Sequence, residues 1–256
     1  MILLSKTSLE HHSLKENRYW AIALLVIFLF AGFENIVSGQ DSDFMTWTSI
    51  KIQTKIVPKL SFDLTQEFRL ENNSTQWDEI FTNLNLSYSP FKFFEVAGSW
   101  RFIQHRKKNG DWIPLNRFHF DLKFDLDIKR FNPEYRFRFV RYPSFSNDTK
   151  IEVSILRHRL ELNYDIRNSK LDPYVSIELF HAIEDDGTNE IIGIRYRMGA
   201  DYRINKYHRV GASIRYDQEY NAKNPETHYI LGLDYRWILK FKKKKTKNWR
   251  VLNKQL

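Results

Sequence analysis

From Phe44 onward, apolar and polar residues alternate with a period of two, the signature of half-buried strands rather than helices. Residues 117–128, RFHFDLKFDLDI, show it most plainly. Phe118, Phe120, Leu122, Phe124, Leu126 and Ile128 occupy one face; Arg117, His119, Asp121, Lys123, Asp125 and Asp127 occupy the other. The pattern recurs in residues 48–56, in 60–70, around Ile80–Tyr88 and Phe94–Phe102, and around Tyr135–Phe139. It continues in 156–166, more weakly in 174–183, and then in 192–203, 209–217 and 229–239. The parity of the 151–166 run changes before Leu156, which predicts a β-bulge near residues 154–156.

The connections alternate in length. Short ones hold Pro58, Ser89-Pro90, Asn132-Pro133, residues 170–173 and residues 205–207; longer polar ones hold ENNSTQW, RKKNGDWIPL, PSFSNDTK, EDDGTNE and QEYNAKNPE. Short turns at one end and long loops at the other are the layout of an outer-membrane barrel, with the short turns periplasmic.

Alternation alone also fits a soluble β-sandwich, whose apolar face is its core. Two features favour the barrel. The runs are about 10–13 residues long, whereas soluble strands average about 5–6 and transmembrane strands need about 9–11. The apolar faces are bulky nearly everywhere, too bulky for eleven such strands to interdigitate in one core. The predicted fold is therefore an all-β antiparallel transmembrane β-barrel. Eleven strands can be counted, and bacterial single-chain barrels have even numbers, so twelve are expected. Residues 40–47 or a split within 151–166 would supply the twelfth; ten result if 174–183 is not a strand.

The longest uncharged apolar run, WAIALLVIFLFAGF at residues 20–33, is too short to span a bilayer as a helix. Lys6, Lys15 and Arg18 precede it, and Val37 and Gly39 stand at −3 and −1 of a cut before Gln40. Residues 1–39 are thus expected to be a cleaved signal peptide, residues 40–241 the barrel, and 242–256 a basic periplasmic tail. An uncleaved N-terminal anchor is the other reading. The 256 residues carry 16% aromatics and no cysteine, and the mean hydropathy is negative. Disulfides and cysteine nucleophiles are excluded, as is a bundle of transmembrane helices.

At this point the chain resembles a known family. LSFDLTQEFRLEN with Glu67 and Arg69, then LNLSYSPFKFFEVAGSWRF, then RHRLELNYDI, are similar to the family known as domain of unknown function 2490, predicted outer-membrane barrels mostly of Bacteroidetes. The resemblance covers most of residues 44–239 and implies fold and location, with no activity attached. The lysine-rich tail departs from it.

If the charged faces line a lumen, they form a network of Asp63, Glu67, Arg69, Glu95, Arg101, Arg117, His119, Asp121, Arg136, Arg138, Arg157, Arg159, Glu161, Arg195, Arg197, Asp201, Arg215, Asp234 and Arg236. Unpaired charges there would be costly, so most are expected to pair. The network either plugs the barrel, as a structural or assembly component, or lines a narrow, anion-preferring pore. Tyr88, Trp100, Tyr135, Tyr164, Tyr202, Tyr235 and Trp237 are expected to form an aromatic belt at the lipid headgroups.

An outer-membrane lipid hydrolase is the alternative, with His119 beside Asp121 and Ser99 on the neighbouring strand. The serine motifs of such enzymes are absent, so a non-enzymatic role is expected, with no catalytic residue, metal or cofactor. EDDGTNE lacks a calcium-loop pattern. The expected partners are outer-membrane lipid and lipopolysaccharide, the barrel-assembly machinery during biogenesis, and an anionic periplasmic partner for the tail KFKKKKTKNWRVLNKQL. Export removes nucleic acid from consideration.

Overall fold

The computed structural model describes residues 41–142, 153–183, 189–221 and 225–240. Within them eleven strands form one closed barrel. They are β1 (Asp41–Val57), β2 (Leu60–Glu71), β3 (Gln76–Phe91), β4 (Phe94–Arg106), β5 (Trp112–Asp125) and β6 (Phe131–Tyr142). They continue with β7 (Val153–Tyr164), β8 (Leu171–Ile183), β9 (Asn189–Arg203), β10 (His208–Glu219) and β11 (Glu226–Leu239). Each pairs antiparallel with the next. The signal-like segment, the loop at 143–152 and the basic tail lie outside the described residues.

The expected twelfth strand is not among them. Residues 41–47 open β1 rather than forming a strand of their own, the 153–164 run is a single strand, and 174–183 belongs to β8. Up-and-down strands in odd number leave the first and last pointing the same way. The barrel accordingly closes with a parallel seam, in register from Asp41 opposite Glu226 to Thr54 opposite Leu239. The seam's hydrogen bonds are evenly spaced and slanted, unlike those of the ten antiparallel ladders. One consequence is positional. The turns after β1, β3, β5, β7 and β9, two to six residues long, share a rim (the short-turn rim) with the end of β11, while the connections after β2, β4, β6, β8 and β10, four to ten residues long, share the opposite, long-connection rim with the start of β1.

Turn chemistry sets the short rim. Pro58 and Lys59 form a two-residue hairpin, Val57 facing Leu60, with Lys59 in the left-handed region at φ 72°. The β3–β4 turn falls at residues 92–93, because Ser89 and Pro90 remain within β3.

Register fixes which face looks inward. On β5, Phe118, Phe120 and Phe124 are 41–46% exposed, whereas Arg117, His119 and Asp121 are only 6–9% exposed. The ladders carry this parity around the barrel: Asn83 faces Arg101, Arg101 faces Arg117, Asp121 faces Arg138, and Arg138 faces Arg157. Charged residues line the interior and apolar ones cover the outside.

The outer face carries two bands of exposed aromatics. Tyr88, Tyr135, Tyr202 and Trp237 lie toward the short-turn rim; Phe44, Trp77, Trp112 and Tyr229 lie toward the other. Trp77 and Tyr88 both belong to β3. Eleven residues rising about 3.3 Å each, on a strand tilted roughly 40°, separate them by about 28 Å along the barrel axis, close to the apolar band of an outer-membrane barrel.

The expected bulge at residues 154–156 is absent. β6 and β7 run in continuous register from Tyr142–Val153 to Phe131–Tyr164. The apolar residue that broke the parity, Ile155, faces inward between Val140 and Ala182. A bulge occurs instead in β3, where Asp78 and Glu79 together oppose Arg69, between the pairs Leu70–Trp77 and Phe68–Ile80.

Candidate functional site

All nineteen residues expected in the charge network line one interior cavity of about 1110 Å³. Their arrangement follows from the strand register. Arginines sit directly opposite arginines on β6 and β7, Arg138 against Arg157 and Arg136 against Arg159. Like charges so placed repel, and carboxylates from neighbouring strands separate them. Asp121 on β5 accepts two hydrogen bonds from Arg138, Nε and Nη2 each at 2.7 Å. Glu178 on β8 accepts from Arg136 at 2.6 Å and from Arg157 at 3.1 and 2.9 Å. Glu134 takes Arg159, and Asp217 takes Arg195 through both its oxygens.

Other network members pair over a wider range of distances. Arg69 bonds Glu67 at 2.8 Å and Glu79 at 2.9 Å. Arg197 lies 3.6 Å from Asp234, as does Arg236 from Asp201 and Arg159 from Glu161. Lys123, not among the expected members, stands 3.6 Å from each of Glu95, Asp125 and Glu134. Asp63 leaves one buried carboxylate oxygen without a hydrogen-bond partner.

Arg101, Arg117 and Arg215 meet aromatic faces and neutral oxygens instead of carboxylates. The Arg101 guanidinium lies 3.7 Å from the centre of the Phe81 ring and donates to Asn83 at 3.2 Å. Arg117 donates to the Tyr142 hydroxyl at 3.0 Å. Arg215 stacks over Trp47 at 4.8 Å, where Arg69 at 3.8 Å and Arg195 at 5.1 Å also converge. Phe180 receives Arg157 and Arg195 in the same way. Such desolvated cation–π contacts contribute about 2 kcal/mol each. Fifteen lysines and arginines line the cavity against eleven aspartates and glutamates, a formal excess of four positive charges.

Sequence reasoning missed the inward aromatics Trp47, Phe81 and Phe180. Consecutive apolar residues, Ile80-Phe81 and Leu179-Phe180, are the available signal, since a half-buried strand places only one of such a pair outside.

Inward apolar residues form a collar near the long-connection rim. Met45, Phe81, Ile103, Leu115, Val140, Ile155, Ala182 and Ile230 each lie within five residues of that end of their strand. Phe81, Ile103, Val140 and Ile230 are at most 2% exposed. The cavity touches Val140 and Ile155 but none of the other six, and in the opposite direction it reaches Asp165, Asp172 and Arg209 at the short-turn rim. The collar draws on eight of the eleven strands, and beside it the cavity also reaches Tyr142, the last residue of β6 at that rim.

Ser99 and His119 are cross-strand partners, both buried. The Ser99 hydroxyl donates to Asn85 at 2.5 Å, and His119 Nδ1 has no hydrogen-bond partner. Of the aromatic-belt residues, Tyr88, Tyr135, Tyr202 and Trp237 are exposed toward the short-turn rim. Tyr164 and Tyr235 are half-buried there and edge the cavity. Trp100 lies in the middle of β4, bonded through Nε1 to Asn116 at 3.0 Å, and so away from the band. His158 stands on the outer face, its Nδ1 met by the Tyr135 hydroxyl at 2.8 Å, which satisfies a polar atom among apolar neighbours.

No curated protein matches the chain in sequence. Among solved structures, the chain is similar to the β domain of the Bordetella autotransporter BrkA, at 11% sequence identity and a TM-score of 0.42, over 72% of this chain and 85% of that one. The family described as protein of unknown function DUF2490 matches residues 44–228. That stretch runs from the first strand of the closed barrel into its last, and on it the chain belongs to the DUF2490 family.

Proposed function

We propose that this chain is an outer-membrane protein, non-enzymatic, whose barrel crosses the bilayer with its apolar face in lipid and whose lumen is stoppered rather than open. The outward face supports the membrane reading. On every strand except β2, whose residues are all half-buried, it presents large exposed apolar side chains, among them Ile50, Leu86, Phe120, Leu160, Ile177 and Ile214. A soluble monomer rarely exposes a contiguous apolar patch beyond a few hundred Å². The signal-like segment before Gln40 provides the export route. In this orientation the short turns, the open end of the chamber and the basic tail face the periplasm, and the longer connections face lipopolysaccharide. The chamber and the tail would both attract an anionic periplasmic partner.

The observation that supports the stoppered reading is the collar: buried Phe81, Ile103, Val140 and Ile230 narrow the interior with apolar side chains near one rim. Hydrophobic constrictions block ions by dewetting even when side chains do not fill them. Against a hydrolase stands the engagement of Ser99 with Asn85, which leaves no serine–histidine hydrogen bond. Reconstitution into planar bilayers tests the proposal. The wild-type barrel is expected to insert without steady conductance, and a variant with Ile103→Ser and Val140→Ser to conduct anions. Stable wild-type current steps would exclude the stopper.

A further inference from the structure

We propose that Asp78, Glu79 and His105 form a site for one divalent transition-metal ion, with Zn²⁺ as its probe, on the inner wall just below the long-connection rim. One ligand atom from each of the three lies within 4.8 Å of the others. His105 Nδ1 stands 3.5 Å from Asp78 Oδ1 and 3.8 Å from Glu79 Oε1. These separations are too long for hydrogen bonds, and the buried Nδ1 has no partner. They are, however, only a few tenths of an ångström longer than those of atoms that share an ion. Ligands at about 2.0–2.1 Å from a tetrahedral Zn²⁺ lie about 3.3–3.4 Å apart.

The backbone is shaped for this convergence. Successive residues of a regular strand point to opposite faces. The β3 bulge sets Asp78 and Glu79 together against the single residue Arg69 and brings both carboxylates to His105, while Trp77 remains exposed on the outside. Bulges of this kind concentrate at barrel rims and re-aim side chains beside functional sites. The ladder sets His105 of β4 directly opposite Glu79. Arg69 donates to Glu79 Oε2 at 2.9 Å, which orients the carboxylate and leaves Oε1 toward the histidine. An outer partner that fixes a ligating group in this way is the usual support of a metal site. One imidazole nitrogen and two carboxylate oxygens, in a chain without cysteine, match Zn²⁺ or Mn²⁺ rather than a thiolate-seeking ion.

The test uses the full barrel in detergent, stripped with a chelator and desalted, with folding verified by heat-modifiable migration. Calorimetric titration with ZnCl₂ is expected to give one ion per chain. His105→Ala and Asp78→Asn should each weaken binding at least about tenfold, the loss that removal of even an outer-shell partner brings. His228→Ala, at a rim histidine bonded to Glu226, should leave binding unchanged. A readout that needs no variant is histidine modification by diethylpyrocarbonate, mapped by mass spectrometry: Zn²⁺ should protect His105 and not His228. Absence of saturable Zn²⁺ binding by the folded wild type, unchanged affinity in a folded His105→Ala barrel, or an unprotected His105 at saturating Zn²⁺ would each overturn the site.

Discussion

Arg138 and Asp121, on adjacent strands, are joined by two parallel hydrogen bonds of 2.7 Å, the fork-to-fork geometry of the strongest ion pairs. Both side chains are only 12–13% exposed. Removing one partner leaves the other charge buried without compensation, at a cost of roughly 3–5 kcal/mol, whereas replacing both by apolar groups costs far less. Asp121→Leu and Arg138→Leu are therefore each expected to destabilise the barrel strongly, and the double variant less than either. Urea unfolding followed by tryptophan fluorescence measures this. Additive losses would show that the two side chains are not coupled.

Two glycines should respond oppositely to the same added methyl. At Gly199 on β9, a Cβ would lie 2.6 Å from the Ala212 backbone oxygen and 2.6 Å from the Tyr174 hydroxyl. Gly199→Ala is expected to cost about 1–3 kcal/mol through overpacking. At Gly98 on β4 nothing lies within 4 Å. Gly98→Ala should stabilise by up to about 1 kcal/mol, since glycine in a strand carries an entropic cost. Midpoints from the same urea titration decide both.

The parallel seam makes a topological prediction. With eleven strands, Asp41 and Leu239 stand at opposite rims. An epitope inserted before Asp41 should be stained on intact cells. One inserted after Leu239 should be reached only when the outer membrane is permeabilised. Staining of both in the same state would mean an even strand number and no parallel seam.

How much of this could be read in the sequence differs from strand to strand. The alternation of β5 fixed its two faces, because a period of two survives any register. The same logic brought Arg117, His119 and Asp121 to the interior side by side. Strand number was harder to read. Evenness is a habit of barrels with antiparallel closure, and no local pattern distinguishes a parallel seam. The two bulge positions were exchanged for one physical reason. A narrow barrel must fill part of its interior with apolar side chains, so Ile155 broke the parity while remaining in register. Conversely Asp78 and Glu79 are both polar, and their shared orientation left no mark on the hydrophobic pattern. The metal-ligand cluster was hidden for the same reason, since His105 is distant in sequence and meets the two carboxylates only through the ladder.

The assignment of the apolar face to lipid is tested most directly on β5. The chain has no cysteine, so single cysteines at positions 117–124 can each carry one spin label in liposome-embedded barrel. Relaxation by oxygen, which concentrates in the bilayer, is then compared with relaxation by a water-soluble nickel chelate. Oxygen should dominate at 118, 120, 122 and 124 and fall at 117, 119, 121 and 123. Nickel access at the four phenylalanine and leucine positions equal to that at their neighbours would contradict a membrane-spanning barrel.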